Sequence, residues 1–128
     1  MSEQTTDTTM HIGELADRTG LSTRTVRHYD DVGLLHPTGR TEGGFRLYTQ
    51  DDLQRLLVIR RMKPLGYSLE QMAELLGIID RLEGVDGAER DRLQAEIDAY
   101  VADTEERRAK LVRNLEWADE FLGILRAK

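Results

Sequence analysis

The sequence contains no cysteine. The chain therefore has no disulfide, no thiolate metal site and no cysteine nucleophile. No apolar run approaches the roughly 18 residues that a membrane-spanning helix needs. The first nine residues also lack the basic and apolar segments of a signal or transit peptide. These absences predict a cytoplasmic protein without covalent cross-links and without a membrane anchor.

Signatures of catalysis and of metal binding are also missing. No nucleophile stands beside a base, no carboxylates are paired for acid–base chemistry, and Gly43 and Gly44 are interpreted as turn residues, not as a phosphate-binding loop. The histidines His11, His28 and His36 do not have the spacing of metal ligands. We therefore predict that the protein is not an enzyme and holds neither a metal nor a cofactor.

Charge is abundant but unevenly distributed. Charged residues make up 33% of the sequence and hydrophobic residues 39%, which favours a long exposed helix beside a small core. Residues 10–67 carry nine Lys/Arg against seven Asp/Glu, whereas residues 68–128 carry nine against fifteen. A basic face in the first half is therefore compatible with DNA binding despite the net charge of −6, because phosphates respond to local charge.

Two short helices with a glycine-containing turn are predicted near the N-terminus. Residues 1–9 are almost entirely polar and are predicted to be a disordered tail. Apolar spacing predicts a first helix over residues 12–19 that ends at Gly20. A second helix begins at its N-cap, Ser22, and stops at Gly33. This is the helix-turn-helix pattern, which other helical corners share.

The exposed face of the second helix combines hydroxyl side chains with arginine. Arg24 and Arg27 lie in its N-terminal half, and the first acidic residue within this helix is Asp30. In the major groove of DNA, arginine binds guanine acceptors and threonine contacts phosphates or thymine methyls. The helix is therefore interpreted as a recognition helix. The alternative is a solvated charged face without a partner.

A hairpin containing glycine and arginine is predicted next. Residues 35–39 are expected to pair with residues 44–48 across a loop of about four residues. The alternation of side chains along a strand places Arg46 and Tyr48 on the outward face, and Arg40 lies near the tip. The hairpin is interpreted as a wing that reaches the DNA backbone or minor groove. The alternative is a hairpin that only covers the core.

A third helix is predicted to brace this region. Thr49 caps its start, with Asp52 as the other half of a capping box, and Pro64 and Gly66 end it. Its leucines face the core. Its basic side chains are expected at the surface: Arg55, Arg60, Arg61 and Lys63.

A fourth helix begins with a second capping box, from Ser68 to Gln71. Leu69 is expected to face inward as part of its apolar stripe. Lys63, together with the backbone N–H groups at Tyr67 and Ser68, is expected to hold a phosphate at this helix N-terminus.

The C-terminal third is predicted to be one amphipathic helix over residues 88–126, preceded by a hinge at residues 79–87. So long a helix is not stable alone in water and needs a partner helix, which predicts a homodimer. The alternative is that the helix folds back on its own N-terminal domain. The predicted heptad seam has a polar gap at Thr104 and Arg107, and its expected dimerisation residues are Leu93, Ile97, Tyr100, Leu111, Leu115 and Leu122.

Four segments form a recognisable set in order and spacing. They are Ile12-Gly-Glu-Leu-Ala16, Thr25-Val-Arg-His-Tyr-Asp-Asp-Val-Gly-Leu-Leu35, Gly44-Phe-Arg-Leu-Tyr48 and Leu65-Gly-Tyr-Ser-Leu-Glu70. Over about residues 10–76 the sequence resembles the MerR family of bacterial transcription regulators. The long helix resembles that family's antiparallel dimerisation helix.

The resemblance implies a mainly α fold. A winged helix-turn-helix DNA-binding domain at residues 10–78, with its wing at about 35–48, precedes a long antiparallel coiled-coil dimerisation helix at residues 88–128. It also implies a dimer that binds a pseudo-palindromic double-stranded promoter and distorts the spacer so that RNA polymerase can use both promoter elements. The expected DNA-binding residues are Ser22, Thr23, Arg24, Thr25, Arg27, His28, Tyr29, Arg40, Arg46, Tyr48, Lys63 and Tyr67.

The sequence departs from the family in two respects. Metal- and redox-sensing members use cysteines around the dimerisation helix, and drug-sensing members carry a C-terminal effector domain. The absence of cysteine excludes thiolate sensing, and no effector domain is expected because the chain ends about two residues after the predicted helix. A second interpretation stays open: a DNA-architectural or protein-interaction module with an excisionase-like winged domain and a coiled coil.

Overall fold

The computed structural model describes residues 9–128, which form two compact units. The first, called the head below, ends at Leu76, and the second begins at Gly77. Residues 1–8 of the predicted disordered tail lie outside the described residues. The elements are, in order, β1 (Thr9–Met10), α1 (Ile12–Thr19), α2 (Thr23–Asp31), β2 (Gly39–Arg40), β3 (Arg46–Thr49), α3 (Gln50–Met62), a 3-10 turn (Lys63–Leu65), α4 (Leu69–Leu82) and α5 (Gly87–Arg126).

The predicted turn between α1 and α2 is confirmed. Gly20 ends α1 in the left-handed conformation, with φ of 73°, which glycine adopts without steric cost. Ser22 caps α2, because its Oγ accepts a hydrogen bond of 3.0 Å from the Thr25 N–H. The guanidinium of Arg60 donates to the Thr19 carbonyl at 2.6 Å and ties α3 to this turn. These bonds fix the direction in which α2 leaves α1.

The wing is part of a three-stranded antiparallel sheet with the order β1-β3-β2. Met10 lies opposite Tyr48, and Gly39 lies opposite Leu47. Strand β1 was not predicted, and it includes Thr9, which the sequence placed in the tail. In a simple hairpin β3 would be an edge strand. Here β3 is the central strand and is paired on both sides.

The predicted pairing of residues 35–39 with residues 44–48 is confirmed only at its end, where Gly39 lies opposite Leu47 and the Thr38 N–H donates to the Leu47 carbonyl at 2.9 Å. The register is shifted toward later residues of β3. Leu35 is buried in the core and Pro37 has no N–H to donate, so the first part of the predicted strand packs inward instead of pairing.

The helices α3 and α4 begin as predicted. Thr49 and Asp52 form a complete capping box at the start of α3. Ser68 and Gln71 form the second box, with bonds of 2.9 and 3.1 Å between backbone N–H groups and side chains. Leu69, expected to face inward, is exposed. The fully buried side chains of the head include Met10, Leu15, Val26, Leu56, Ile59 and Met72.

Arg55 was expected at the surface, and this prediction is wrong. Its side chain is buried, and its Nε–H donates to the Leu34 carbonyl at 2.9 Å. A carbonyl inside the core needs a donor, and the chain leaving α2 does not continue a helix that could supply one. The guanidinium of Arg55 meets that requirement.

The long C-terminal helix is confirmed. Helix α5 has 40 residues, which corresponds to a length of about 60 Å. The predicted hinge at residues 79–87 is shorter than expected, because α4 continues to Leu82 and α5 starts at Gly87. None of the helices within residues 9–128 is long and apolar enough to cross a membrane.

Candidate nucleic-acid interface

Helix α2 presents the predicted basic face to solvent. Its exposed side chains include Thr23, Arg24, Arg27 and His28, while Thr25 is half-buried. Tyr29, which was included among the DNA-binding residues, lies in the core instead. Burial raises the pKa of its phenol. The helix therefore has one face for the core and one for a partner.

The tip of the wing is a structured turn. Gly44 has a φ of 85°, and its N–H donates to the Thr41 carbonyl at 2.9 Å. The Arg40 guanidinium donates to the Gly44 carbonyl at 2.7 Å. Phe45 is 67% exposed beside this turn. The wing thus carries a cation and an aromatic ring at its surface on a hydrogen-bonded frame.

Arg46 and Tyr48 face α2 and not the outside, which corrects the predicted orientation of the wing. The Arg46 guanidinium donates to Asp30 Oδ2 at 2.5 Å, and the Tyr48 hydroxyl donates to the same oxygen at 2.7 Å. The Asp30 side chain is only 4% exposed, so its charge requires these partners. The side of β3 that carries Arg46 and Tyr48 therefore faces inward because both side chains bind the Asp30 carboxylate on α2.

The ionisation of the two wing side chains follows from this contact. Burial, and then the hydrogen bond to Asp30, raise the pKa of the Tyr48 phenol well above its ordinary value. The hydrogen bond to Asp30 likewise raises the pKa of the Arg46 guanidinium. At neutral pH both groups keep their protons and both donate to the carboxylate.

An open cleft of about 280 Å³ separates α2 from the wing. Arg27 and the carboxylates of Asp30 and Asp31 line it from α2, and Arg40 and Arg46 line it from the wing. Guanidinium groups therefore stand on both walls of one cleft. Such an arrangement suits an anionic chain such as a DNA backbone, which arginine contacts through phosphate oxygens.

The predicted phosphate site at the start of α4 is not formed as expected. The Tyr67 N–H donates to the Met62 carbonyl at 3.4 Å, and the Ser68 N–H donates to the Gln71 side chain. Tyr67 itself is buried. Because these two backbone groups are already paired, the exposed Lys63 is the part of the predicted phosphate site that is left. Neither Lys63 nor Tyr67 lines the cleft.

The role of Asp30 and the bond of Asp52 to His36 were missed by the sequence argument, which had given Asp52 only its place in the capping box with Thr49. Asp30 holds the wing, and Asp52 accepts hydrogen bonds from the backbone N–H groups of His36 and Thr49 at 2.7 and 3.1 Å. One signal was available for Asp30. It lies one helical turn after Val26, so an acidic residue occupies the apolar stripe of an amphipathic helix.

The burial of the predicted seam residues changes along α5. Leu93 is fully buried within the single chain, so this position is not free for a seam with another helix. Ile97 and Tyr100 are half-buried. From Val101 onward large apolar side chains are exposed: Val101, Leu111, Val112, Leu115, Trp117, Phe121, Leu122, Ile124 and Leu125. Among residues 9–128, no group of three or more His, Cys, Asp or Glu side chains is placed to hold a metal ion.

A comparison with protein families decides the class. The model of the MerR HTH family regulatory proteins matches residues 10–77. The chain belongs to the MerR family.

Relatives in the MerR family support the same class. The HTH-type transcriptional regulator ZntR of Escherichia coli K12 is 42% identical over 107 residues, which are 80% of this chain and 75% of ZntR. The mercuric resistance operon regulatory protein of Bacillus cereus is 46% identical over 72 residues. That match covers 56% of this chain and about half, 54%, of the relative. These relatives are transcriptional regulators and not enzymes.

Solved MerR structures share the fold. HiNmlR, a MerR family regulator that lacks the sensor domain and was crystallised bound to promoter DNA, has a TM-score of 0.69 and 28% identity, covering 93% of this chain and 91% of that chain. PbrR691 from Ralstonia metallidurans CH34, in complex with lead(II), has a TM-score of 0.54 and 37% identity, covering 83% and 82%. The protein is thus a MerR-family transcription regulator with a winged helix-turn-helix.

Proposed function

We propose that this MerR protein is a homodimer that binds a pseudo-palindromic promoter and distorts its spacer so that RNA polymerase can use both promoter elements. The observation that carries the proposal is the cleft between α2 and the wing, which has guanidinium groups on both walls. The likeness to a regulator crystallised on promoter DNA supports it.

In this proposal α2 enters the major groove. Arg24 and Arg27 are exposed in its N-terminal half, where a recognition helix contacts base edges. Ser22, Thr23 and His28 lie near them and serve the phosphates that fix the register. The wing follows the backbone beside the same groove with Arg40. Tyr29, Tyr48 and Tyr67 are buried and act as supports of these surfaces.

Dimerisation rests on the apolar surface of α5. Leu111, Leu115 and Leu122 recur at helical spacing on one side of the helix and are exposed. Fully burying a leucine side chain is worth about 1.5–3 kcal/mol, so a second copy of the same helix would gain substantially by covering them. Two heads would then read two half-sites whose separation is fixed by the paired α5 helices.

The distortion of the spacer is proposed on the basis of the family resemblance. Energy stored in bent and untwisted DNA would let a protein discriminate promoters at base pairs that it does not touch. Genome-wide mapping of bound sites, followed by measurement of the −35 to −10 spacer, tests this part. Spacers of ordinary length at the bound promoters would contradict it.

A mobility-shift assay on a mapped promoter tests DNA recognition. Arg27→Ala should weaken binding about tenfold or more, since a bidentate contact to a base is worth about 1–3 kcal/mol. Arg113→Ala, which removes the same charge from an exposed site on α5, is the matched control and should bind like the wild type. Equal binding by the two variants would refute the role of α2. Binding indifferent to sequence, together with a stable hetero-complex, would favour the architectural alternative.

A further inference from the structure

One carboxylate near the end of α2 holds two side chains of the wing. Residues 46 and 48 lie on the same side of β3, and Arg46 and Tyr48 both donate to Asp30 Oδ2, at 2.5 and 2.7 Å. The contact joins positions 16 and 18 residues apart in the sequence. It therefore connects the recognition helix directly to the strand that carries the wing.

The surroundings of Asp30 distinguish it from its neighbour. The Asp30 side chain is 4% exposed, whereas that of Asp31 is 61% exposed and lies 3.9 Å from the Arg46 guanidinium. The chain thus offers two adjacent carboxylates of equal charge, one buried in the contact and one at the surface. Any effect of charge alone on DNA binding would be similar for the two.

The two arginines of the wing are used differently. The Arg46 guanidinium is paired with the negative charge of Asp30, whereas the Arg40 guanidinium is bonded to the neutral Gly44 carbonyl. Arg40 consequently retains its full charge at the surface of the wing. Arg46 contributes by holding β3 in place more than by attracting phosphate.

We propose that Asp30 is a positioning residue for DNA binding: its buried carboxylate fixes the wing at a set distance from the recognition helix, so that both can engage one duplex. The proposal rests on the proposed function. It makes a prediction opposite to simple electrostatics, because removing an acidic group from a DNA-binding surface should strengthen the attraction to phosphate. Here the removal weakens binding, because an amide oxygen in place of the carboxylate holds the Arg46 guanidinium less firmly and loosens the wing.

The test compares Asp30→Asn with Asp31→Asn in the full-length protein. Both substitutions remove one negative charge and keep the size of the side chain. Asp30→Asn should weaken binding to a mapped promoter about tenfold, the usual size of effect when a buried hydrogen-bonded charge is lost. Asp31→Asn removes an exposed carboxylate that lines the same cleft, so this variant should bind more tightly than the wild type. Tyr48→Phe, which removes one of the two bonds and leaves the ion pair, should give an intermediate loss.

Footprinting separates positioning from a general loss of structure. At saturating protein, Asp30→Asn should keep the protection of guanines in the major groove by α2, and should lose hydroxyl-radical protection of the flanking backbone by the wing. Loss of both protections together would show that Asp30 only stabilises the fold and would overturn the proposal. Binding by Asp30→Asn equal to that of Asp31→Asn would also overturn it.

A second readout needs no DNA. Trypsin cleavage after the exposed Arg40 should be faster in Asp30→Asn and Tyr48→Phe than in Asp31→Asn, because a released wing is a better substrate. Equal cleavage rates would refute the anchoring of the wing. If instead the rates differ as expected while the wild type binds no promoter, the proposed function is wrong and the anchor still stands.

Discussion

The head and α5 treat the same kinds of residue in opposite ways. In the head, leucines such as Leu15 and Leu56 are fully buried, and charged side chains such as Asp30 and Arg55 find partners inside the core. In α5, Leu115 is 62% exposed and Trp117 is 59% exposed. The head therefore covers most of its own large apolar side chains, whereas α5 leaves many of its large apolar side chains exposed in the single chain.

This contrast separates two sources of stability. The head is stabilised by its own packing and hydrogen bonds, which do not depend on protein concentration. If α5 pairs with a second copy, its stability depends on concentration through mass action. Four variants test the contrast, in order of decreasing expected effect.

The largest effect is expected from the double substitution Leu111→Glu and Leu115→Glu. If these side chains form the seam, each dimer would bury four uncompensated carboxylates, and even one such charge costs about 3–5 kcal/mol. Sedimentation equilibrium should show a monomer. Ala109→Glu adds a carboxylate on the opposite side of the helix and should leave the dimer intact. A dimer that survives the double substitution would refute the seam.

A smaller effect is expected in the core of the head. Leu56→Ala should lower the free energy of unfolding by about 2–5 kcal/mol, because it leaves a cavity at a fully buried position. Urea denaturation followed by circular dichroism measures the change. Leu69→Ala, at an exposed leucine of the head, should change it by less than about 0.5 kcal/mol. Similar losses in the two variants would contradict the packing described here.

A third substitution tests the buried carboxylate of Asp52 in the head. Asp52→Ala removes the acceptor of the His36 and Thr49 N–H groups and should destabilise the head by about 1–3 kcal/mol. Thermal unfolding at neutral pH measures it. Asp51→Ala, one residue earlier and exposed, is the control and should have little effect. A similar melting temperature for both variants would argue against this role of Asp52.

The smallest effect concerns alkaline pH. Because the pKa of Tyr48 is raised in the folded state, the unfolded chain releases this proton first, at about pH 10. The stabilisation is therefore complete below about pH 10 and is lost as the pH rises further. Urea unfolding between about pH 8 and pH 11 should show a shallower loss for Tyr48→Phe than for the wild type. Parallel curves would contradict the assignment of this titration to Tyr48.

Local signals in the sequence predicted most of the fold. Gly20, Ser22 and Thr49 act within one turn of their own position, so the helix boundaries that they set follow from nearby residues alone. The exposed basic face of α2 and the long α5 follow from helical periodicity in the same way.

Contacts between distant residues were not predicted. Arg55 was assigned to the surface because periodicity does not show that a carbonyl at Leu34 needs a donor. The orientation of Arg46 and Tyr48 was reversed because strand alternation defines two faces without saying which one meets a buried carboxylate such as Asp30. In both cases a polar group in the core decided the outcome, and its partner lies far away in the sequence.

The carboxylate of Asp52 has a consequence for how the wing can vary in length. It accepts hydrogen bonds from the N–H groups of His36 and Thr49, one on each side of the wing. The base of the wing is therefore closed by α3, independently of the residues in between. We expect that residues can be inserted or removed in the turn at 41–44 without displacing α2 or α3, which would change the reach of the wing along the DNA while the recognition helix stays the same.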